Sequence, residues 1–183
     1  MFLWEGTILS NDNCEETIKS VIDFNQAGLY YTGNNGTRHK AIISSQRNAL
    51  TSELYLTKDT ELYDKINLVT NKVGYRLVSE KIKYQVVRYD EGHFIYKHRH
   101  DMDGGIFLTI VIQLSDKSDY TGGDFLYWLN NKEYTLPQKI GYGLLIGPEV
   151  EHEVKVVTKG SRYSFVLFLE FSDVESTSKQ SLI

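Results

Sequence analysis

Ile82-Lys-Tyr-Gln-Val-Val-Arg-Tyr89 and Phe107-Leu-Thr-Ile-Val-Ile-Gln-Leu114 are the two runs that decide how this chain folds. Both are rich in β-branched and aromatic residues, the side chains that suit a pleated surface. Further β-rich runs follow at 124–129, 133–136, 143–146, 153–157 and 163–171, several with alternation and all separated by Gly, Asn and Asp turns. Short strands at such regular spacing predict a sandwich or barrel of the jelly-roll type.

Upstream of residue 82 the pattern turns helical. A helix is expected near 12–26, capped by Asn11 or Asp12 and ended by Gly28, with Glu15 and Glu16 at its positive end. Its apolar face is Cys14, Ile18, Val21 and Ile22. A second helix is expected at 58–74, capped by Thr57, with Leu62, Ile66, Val69 and Val73 as its stripe. Between them, 29–45 holds Gly33, Asn34, Asn35 and Gly36 and reads as a turn-rich loop between short strands. The expected fold class is therefore α+β, mainly β, with N-terminal helices packed on one sheet. No repeat or linker divides the chain, so 1–183 reads as one domain: helical support over about 1–81, a barrel core over about 82–171 and a polar tail over 172–183.

Composition narrows the function. The 183 residues can bury one core, and 41% hydrophobic with 24% charged is the balance of a globular protein. Net charge is −4 with no dense Lys/Arg run, which argues against nucleic acid as a partner. The start, Met-Phe-Leu-Trp-Glu-Gly, breaks its apolar run with a charge, so no signal peptide is expected. No apolar stretch is long enough to span a bilayer, so no membrane partner is expected. Cys14, the only cysteine, permits no intrachain disulfide and suits a reducing cytoplasm.

The histidines are His39, His93, His98, His100 and His152. His98 and His100 are two apart, so on an extended strand both imidazoles face one side. His152 opens another expected strand, which antiparallel folding can bring beside the pair. Three imidazoles on one face of a metal would leave the other face open for substrate or oxygen, although iron, zinc, copper and nickel all accept such ligands. Against this stands the ordinary reading: a lone histidine is usually a surface or satisfied polar residue, and His-X-His also occurs by chance. His39 and His93 fit that ordinary reading.

The flanking sequence adds a resemblance. Tyr89-Asp-Glu-Gly-His-Phe-Ile-Tyr-Lys-His98 resembles the Tyr-x-x-Gly-x5-His segment that leads into the first metal ligand of prolyl 4-hydroxylase-like oxygenases, which depend on Fe(II) and 2-oxoglutarate. The run at 107–114 is similar to their next core strand, and Thr121-Gly-Gly-Asp-Phe125 to their Gly-Gly turn. After a turn between Pro137 and Gly141, Leu145-Ile-Gly-Pro-Glu-Val-Glu-His152-Glu-Val resembles the second-histidine motif. Lys155-Val-Val-Thr-Lys-Gly-Ser-Arg162-Tyr163 is similar to the closing segment with the 2-oxoglutarate-binding arginine. The likeness covers about 82–171.

What the resemblance implies is a double-stranded β-helix and a dioxygenase that couples oxidative decarboxylation of 2-oxoglutarate to hydroxylation of a C–H bond. Its implied cofactors are Fe(II) and 2-oxoglutarate, with ascorbate as a candidate addition. His98 and His152 would bind the metal, Arg162 would hold the cosubstrate's 5-carboxylate in a planar fork, and Tyr89 and Gln113 would be further cosubstrate contacts. The substrate would be a prolyl residue in a peptide or a small amino acid-like metabolite. It would enter from loops at the open barrel end, including 101–105 and 29–48. There Arg47-Asn48 resembles a family segment beside the substrate channel, but is equally readable as surface. Nucleic-acid demethylases among these relatives carry a second arginine six residues after the first, where this chain has Phe168.

One position departs from the family. His-X-Asp or His-X-Glu is the family pattern, and here the residue two after His98 is His100. His100 is a candidate third ligand on the i, i+2 geometry. Asp101 is the alternative, and needs a bulge or turn because successive strand residues face opposite ways. A site with two protein ligands is the remaining case. Two other functions therefore stay open: a three-histidine dioxygenase independent of 2-oxoglutarate, and a catalytically silent barrel acting as a binding module.

Overall fold

A computed structural model describes residues 2–32, 38–41, 45–100 and 105–177. The Gly33–Gly36 turn and Asp101, with most of the 101–105 loop, lie outside the described residues. In chain order the elements are β1 (Phe2–Thr7), α1 (Asn11–Lys19), β2 (Asn25–Gln26), β3 (Leu29–Thr32), β4 (Arg38–Ala41), β5 (Arg47–Asn48), β6 (Leu50–Thr57), α2 (Glu61–Lys72) and β7 (Tyr75–Leu77). Then follow β8 (Lys81–Tyr89), β9 (Phe94–His98), β10 (Ile106–Gln113), β11 (Tyr120–Gly122), β12 (Phe125–Leu129) and β13 (Lys132–Thr135). The last are β14 (Tyr142–Ile146), β15 (Glu151–Val154), β16 (Val157–Gly160), β17 (Arg162–Glu170) and β18 (Val174–Ser176).

Two antiparallel sheets make the sandwich. The larger runs β1-β14-β10-β17-β8-β6-β2 and the smaller runs β13-β12-β15-β9-β5. Alternation along β10 explains how both faces of the larger sheet are buried. Leu108, Ile110 and Ile112 join Phe165, Leu167 and Leu169 of β17 in an apolar layer that also holds Cys14 of α1 and Tyr63, Ile66 and Val69 of α2. The helices thus cover one face of the larger sheet, as the hydrophobic stripes predict. Val111 points the other way and packs with Val87, Tyr89, Leu144, Ile146, Val150 and Val154 between the two sheets. Fully burying each such side chain contributes roughly 1.5–3 kcal/mol, so both layers are needed to offset chain entropy.

The expected strands from residue 82 onward are all present, within one to three residues at their ends, the run at 153–157 being divided between β15 and β16. The N-terminal part differs more. The first helix stops at Lys19, because the Ser20 hydroxyl donates to the Thr17 carbonyl at 2.7 Å and the chain then turns toward β2. Ser10, not Asn11 or Asp12, is its cap, accepting the Asn13 N–H at 3.2 Å. Ile22, expected on its apolar face, lies beyond it and is 92% exposed. Thr60 rather than Thr57 caps α2, accepting the Tyr63 N–H at 3.2 Å, while Thr57 closes β6. Residues 1–81 are also more than helical support. They supply β1, β2 and β6 to the larger sheet and β5 to the smaller.

Candidate active site

His98 and His152 are Cα partners on β9 and β15, with ring centroids 4.3 Å apart. The pairing contains a bulge: the next matched pair is Val154 with Ile95, so two residues on β9, Tyr96 and Lys97, oppose one on β15, Glu153. That extra residue lets both Ile95, a core residue between the sheets, and His98 face inward. His100 lies two residues beyond the end of β9, and its backbone N–H donates to the Pro148 carbonyl at 2.9 Å. This brings its ring to 5.6 Å from that of His98 and 4.9 Å from that of His152. One ligand nitrogen from each of the three lies within 4.8 Å of the others.

Hydrogen bonds set the tautomers. His98 Nδ1 lies 2.8 Å from the Tyr96 carbonyl and His152 Nδ1 lies 2.9 Å from the Val150 carbonyl. A carbonyl only accepts, so each Nδ1 carries the proton and each Nε2 lone pair is free for a ligand. His100 Nδ1 lies 2.8 Å from the Thr109 hydroxyl on β10. Burial, reinforced by the neighbouring imidazoles, holds the His152 pKa well below the ordinary histidine range. Burial lowers that of His98 as well, with a further contribution from the Arg47 charge. These are the neutral imidazoles a metal requires.

A second cluster sits further along the inner face of the larger sheet. Arg162 opens β17, is 1% exposed, and places its guanidinium carbon 5.5 Å from the ring centre of its strand partner Tyr89. Its Nε and Nη1 are buried without a hydrogen-bond partner, as is the Ser164 hydroxyl two residues on. Gln113, the Cα partner of Ser164, donates from Nε2 to the Tyr120 hydroxyl at 2.8 Å and to the Ser115 carbonyl at 3.2 Å. Burial raises the Tyr120 pKa, opposed by the Arg162 charge and hydrogen bond. Room for Arg162 depends on Gly123: at φ +65° a Cβ there would stand 2.9 Å from Val157 Cγ2 and 3.1 Å from Arg162 Cδ.

No protein-family model and no curated protein matches the chain. Solved structures do. A Pseudomonas putida prolyl-4-hydroxylase superposes with TM-score 0.64 at 15% identity over 91% of each chain. The viral collagen prolyl hydroxylase of Paramecium bursaria Chlorella virus-1, in a 2-oxoglutarate complex, superposes with TM-score 0.62 at 18% identity over 92% of this chain and 95% of that one. A Trichoplax adhaerens prolyl hydroxylase with a hypoxia-inducible-factor peptide fragment gives TM-score 0.58 at 17% identity, over 87% and 75%. The fold is that of a prolyl 4-hydroxylase.

On this prolyl 4-hydroxylase-like frame, His98, His100 and His152 form one cluster, and Arg162, Tyr89 and Gln113 form the other. Asp101 lies outside the described residues. His93 is elsewhere, its Nδ1 accepting the Asp90 backbone N–H at 3.1 Å. His39 lies on β4. Sequence reasoning did not reach Thr109, Tyr120 or Ser164. Each meets its cluster only through strand pairing, and the one available signal was Thr109 standing on the inner, Val111-bearing side of β10 among apolar neighbours.

Proposed function

We propose that the protein is an Fe(II)- and 2-oxoglutarate-dependent dioxygenase that hydroxylates a C–H bond, with His98, His100 and His152 as the metal ligands. The observation that carries this reading is Arg162: a buried guanidinium with two unsatisfied nitrogens and no carboxylate partner among the described residues. A buried charge in that state is costly unless an anion completes it. The 5-carboxylate of 2-oxoglutarate is an anion of the right shape for a planar fork. The Tyr120 hydroxyl stands beside it, Tyr89 backs the guanidinium, and the buried Ser164 hydroxyl two residues along β17 also lacks a partner.

His100 is favoured over Asp101 as third ligand, because its ring is already turned onto the other two and is held there by Thr109 and by edge contact with Phe168, centroids 5.0 Å apart. When bound, Fe(II) and 2-oxoglutarate supply the oxidising chemistry with O₂. The chain's own part is to present the Nε2 lone pairs of His98 and His152 beside the His100 ring, to fix the far carboxylate, and to exclude water with the apolar layer around Val111, Leu144 and Ile146. A prolyl residue in a peptide is the substrate supported by the Trichoplax relative, whose structure contains a peptide; a small amino acid-like metabolite is the other class this reading admits.

A second reading, a three-histidine dioxygenase that needs no 2-oxoglutarate, is favoured by the all-imidazole ligand set and opposed by Arg162. Succinate release from 2-oxoglutarate under air, with and without ascorbate, separates the two. The proposed function requires Fe(II)-dependent succinate that disappears in Arg162→Ala. Oxygen consumption without succinate supports the second reading, and neither product supports a silent binding module.

A further inference from the structure

Tyr127 on β12 is the Cα partner of His152 on β15, and it packs in the core between the two sheets. Directly opposed residues of an antiparallel pair hold their Cβ atoms roughly 4.5–5.5 Å apart on one face, so this phenol stands beside a histidine of the metal cluster. Its hydroxyl donates to Glu5 Oε2 on β1 at 3.0 Å. Its ring stacks on that of Tyr134, its partner on β13, with centroids 5.4 Å apart and planes 17° from parallel. Tyr127 is 4% exposed and Tyr134 is 36% exposed, so the stack leads from the core to the surface.

Bracing β12 against β1 is the plain structural reading, and it makes no demand on Tyr134. The chemistry of phenols suggests more. A phenol gives up an electron readily when its proton leaves at the same moment, and a hydrogen-bonded carboxylate is a base placed to take that proton. Phe125, the other aromatic residue of β12 beside His152, stacks on it with centroids 5.6 Å apart but has no proton to give. Of the two, Tyr127 alone combines a proton acceptor with an aromatic neighbour at the surface.

We propose that Glu5, Tyr127 and Tyr134 form a redox relay that discharges the oxidising equivalent stranded when 2-oxoglutarate is consumed without substrate. The proposal rests on the oxygenase reading and adds a protective function to the same site. Dioxygen and 2-oxoglutarate yield succinate, CO₂ and a two-electron oxidising equivalent that the substrate ordinarily takes. In each one-electron step Tyr127 sends an electron to the centre and its phenolic proton to Glu5. Tyr134 then supplies an electron outward-in, its own proton passes to solvent, and Glu5 returns the first proton to Tyr127. A soluble one-electron reductant such as ascorbate restores Tyr134 with an electron and a proton. After two passes the reductant has given two electrons and two protons, the centre has taken two protons from solvent, and the oxygen atom that no substrate accepted leaves as water.

The test mixes the full chain, loaded with Fe(II) and 2-oxoglutarate, with oxygenated buffer in the absence of substrate and reductant. Freeze-quenched samples are read by electron paramagnetic resonance for a tyrosyl radical, and succinate is measured in parallel. The parent should give a radical whose spectrum narrows with ring-deuterated tyrosine and which ascorbate removes. Tyr127→Phe should lose the signal while binding Fe(II) and 2-oxoglutarate like the parent, an effect that loss of bracing would not produce. Glu5→Gln should weaken the signal severalfold. Tyr134→Phe should keep it and slow its removal by ascorbate severalfold. Succinate without a radical, or a radical that survives in Tyr127→Phe, overturns the relay and leaves the oxygenase reading standing. Bound Fe(II) and 2-oxoglutarate with no succinate overturns it too, since no equivalent is then stranded. If Tyr127→Phe does not fold, an undiminished signal in Glu5→Gln with unchanged decay in Tyr134→Phe overturns the relay in its place. A parent that binds neither Fe(II) nor 2-oxoglutarate removes both readings.

Discussion

His152 and His98 face each other across β15 and β9 because a bulge on β9 inserts one extra residue between His98 and Ile95. Without that bulge, alternation would send His98 outward whenever Ile95 is inward. The metal cluster therefore depends on the local irregularity as much as on the residue types. His98→Ala and His152→Ala should each abolish stoichiometric Mn(II) binding by calorimetry, since two remaining imidazoles hold such a metal poorly. His93→Ala and His39→Ala should bind like the parent. Retention of metal by both His98→Ala and His152→Ala would exclude the cluster as its site.

Thr109 gives a finer test. Its hydroxyl fixes the His100 ring 2.8 Å away, and groups that orient a ligand in this way typically contribute roughly tenfold to a hundredfold in metal affinity. Thr109→Val keeps the shape and removes the hydroxyl, so Mn(II) affinity should fall by about tenfold. Thr109→Ser should restore it. Equal loss in both variants would point to packing rather than to orientation of His100.

The unsatisfied guanidinium of Arg162 predicts opposite effects on stability and binding. Replacing a buried charge that has two unsatisfied nitrogens and no carboxylate partner among the described residues with an apolar chain of similar length relieves a desolvation penalty. Arg162→Met should therefore melt higher than the parent without ligand, and a gain of about 1 kcal/mol would raise Tm by roughly 2–4 °C for a chain of this size. Added 2-oxoglutarate should raise the parent's Tm, in the presence of Mn(II), and leave that of Arg162→Met unchanged. Differential scanning calorimetry reads both shifts. A ligand-induced shift that persists in the variant would remove Arg162 from the anion site.

Asp90 ties the end of β8 to the turn just before Arg162. Arg88 donates Nε and Nη2 to its two carboxylate oxygens at 2.7 Å each, and the Ser161 hydroxyl donates at 2.6 Å. These bonds, led by Arg88, hold the Asp90 pKa below the ordinary aspartate value despite partial burial. A depressed carboxylate pKa stabilises the fold above the unfolded value of about 3.9, and that stability is lost as pH falls through the folded pKa. With both side chains partly solvated, Asp90→Asn should lose about 1 kcal/mol at pH 7. The gap between variant and parent in urea melts should shrink as pH drops below about 4. A gap that stays constant with pH would mean that charge is not its source.

Much of this was legible in the sequence, and the reasons are specific. The strands from 82 onward could be read because β-branched and aromatic runs such as those of β10 and β17 are separated by Gly, Asn and Asp turns. β6 was not read. Its inner-facing Glu53 and Tyr55 are exposed, so the Leu50–Thr57 run lacks a clean polar-apolar pattern. The first helix was drawn too long because Val21 and Ile22 continue the helical spacing, which cannot register that Ser20 closes the last turn. The His98 and His100 pair was visible from its spacing alone. The bulge that turns His98 inward was not, since a bulge is a relation between two strands. Thr109, Tyr120 and Ser164 were hidden for the same reason, and Arg162 and Tyr89 emerged only through resemblance to other chains.

The most direct measurement is an anaerobic titration of the Fe(II)-loaded protein with 2-oxoglutarate, followed by the weak visible band of the metal-bound chelate and by calorimetry. The account predicts one Fe(II) and one 2-oxoglutarate per chain, with 2-oxoglutarate affinity falling by roughly tenfold to a hundredfold in Arg162→Ala while Fe(II) binding is unchanged. Tight Fe(II) binding with no band and no heat from 2-oxoglutarate would contradict it, and would leave the three imidazoles as the centre of a different chemistry.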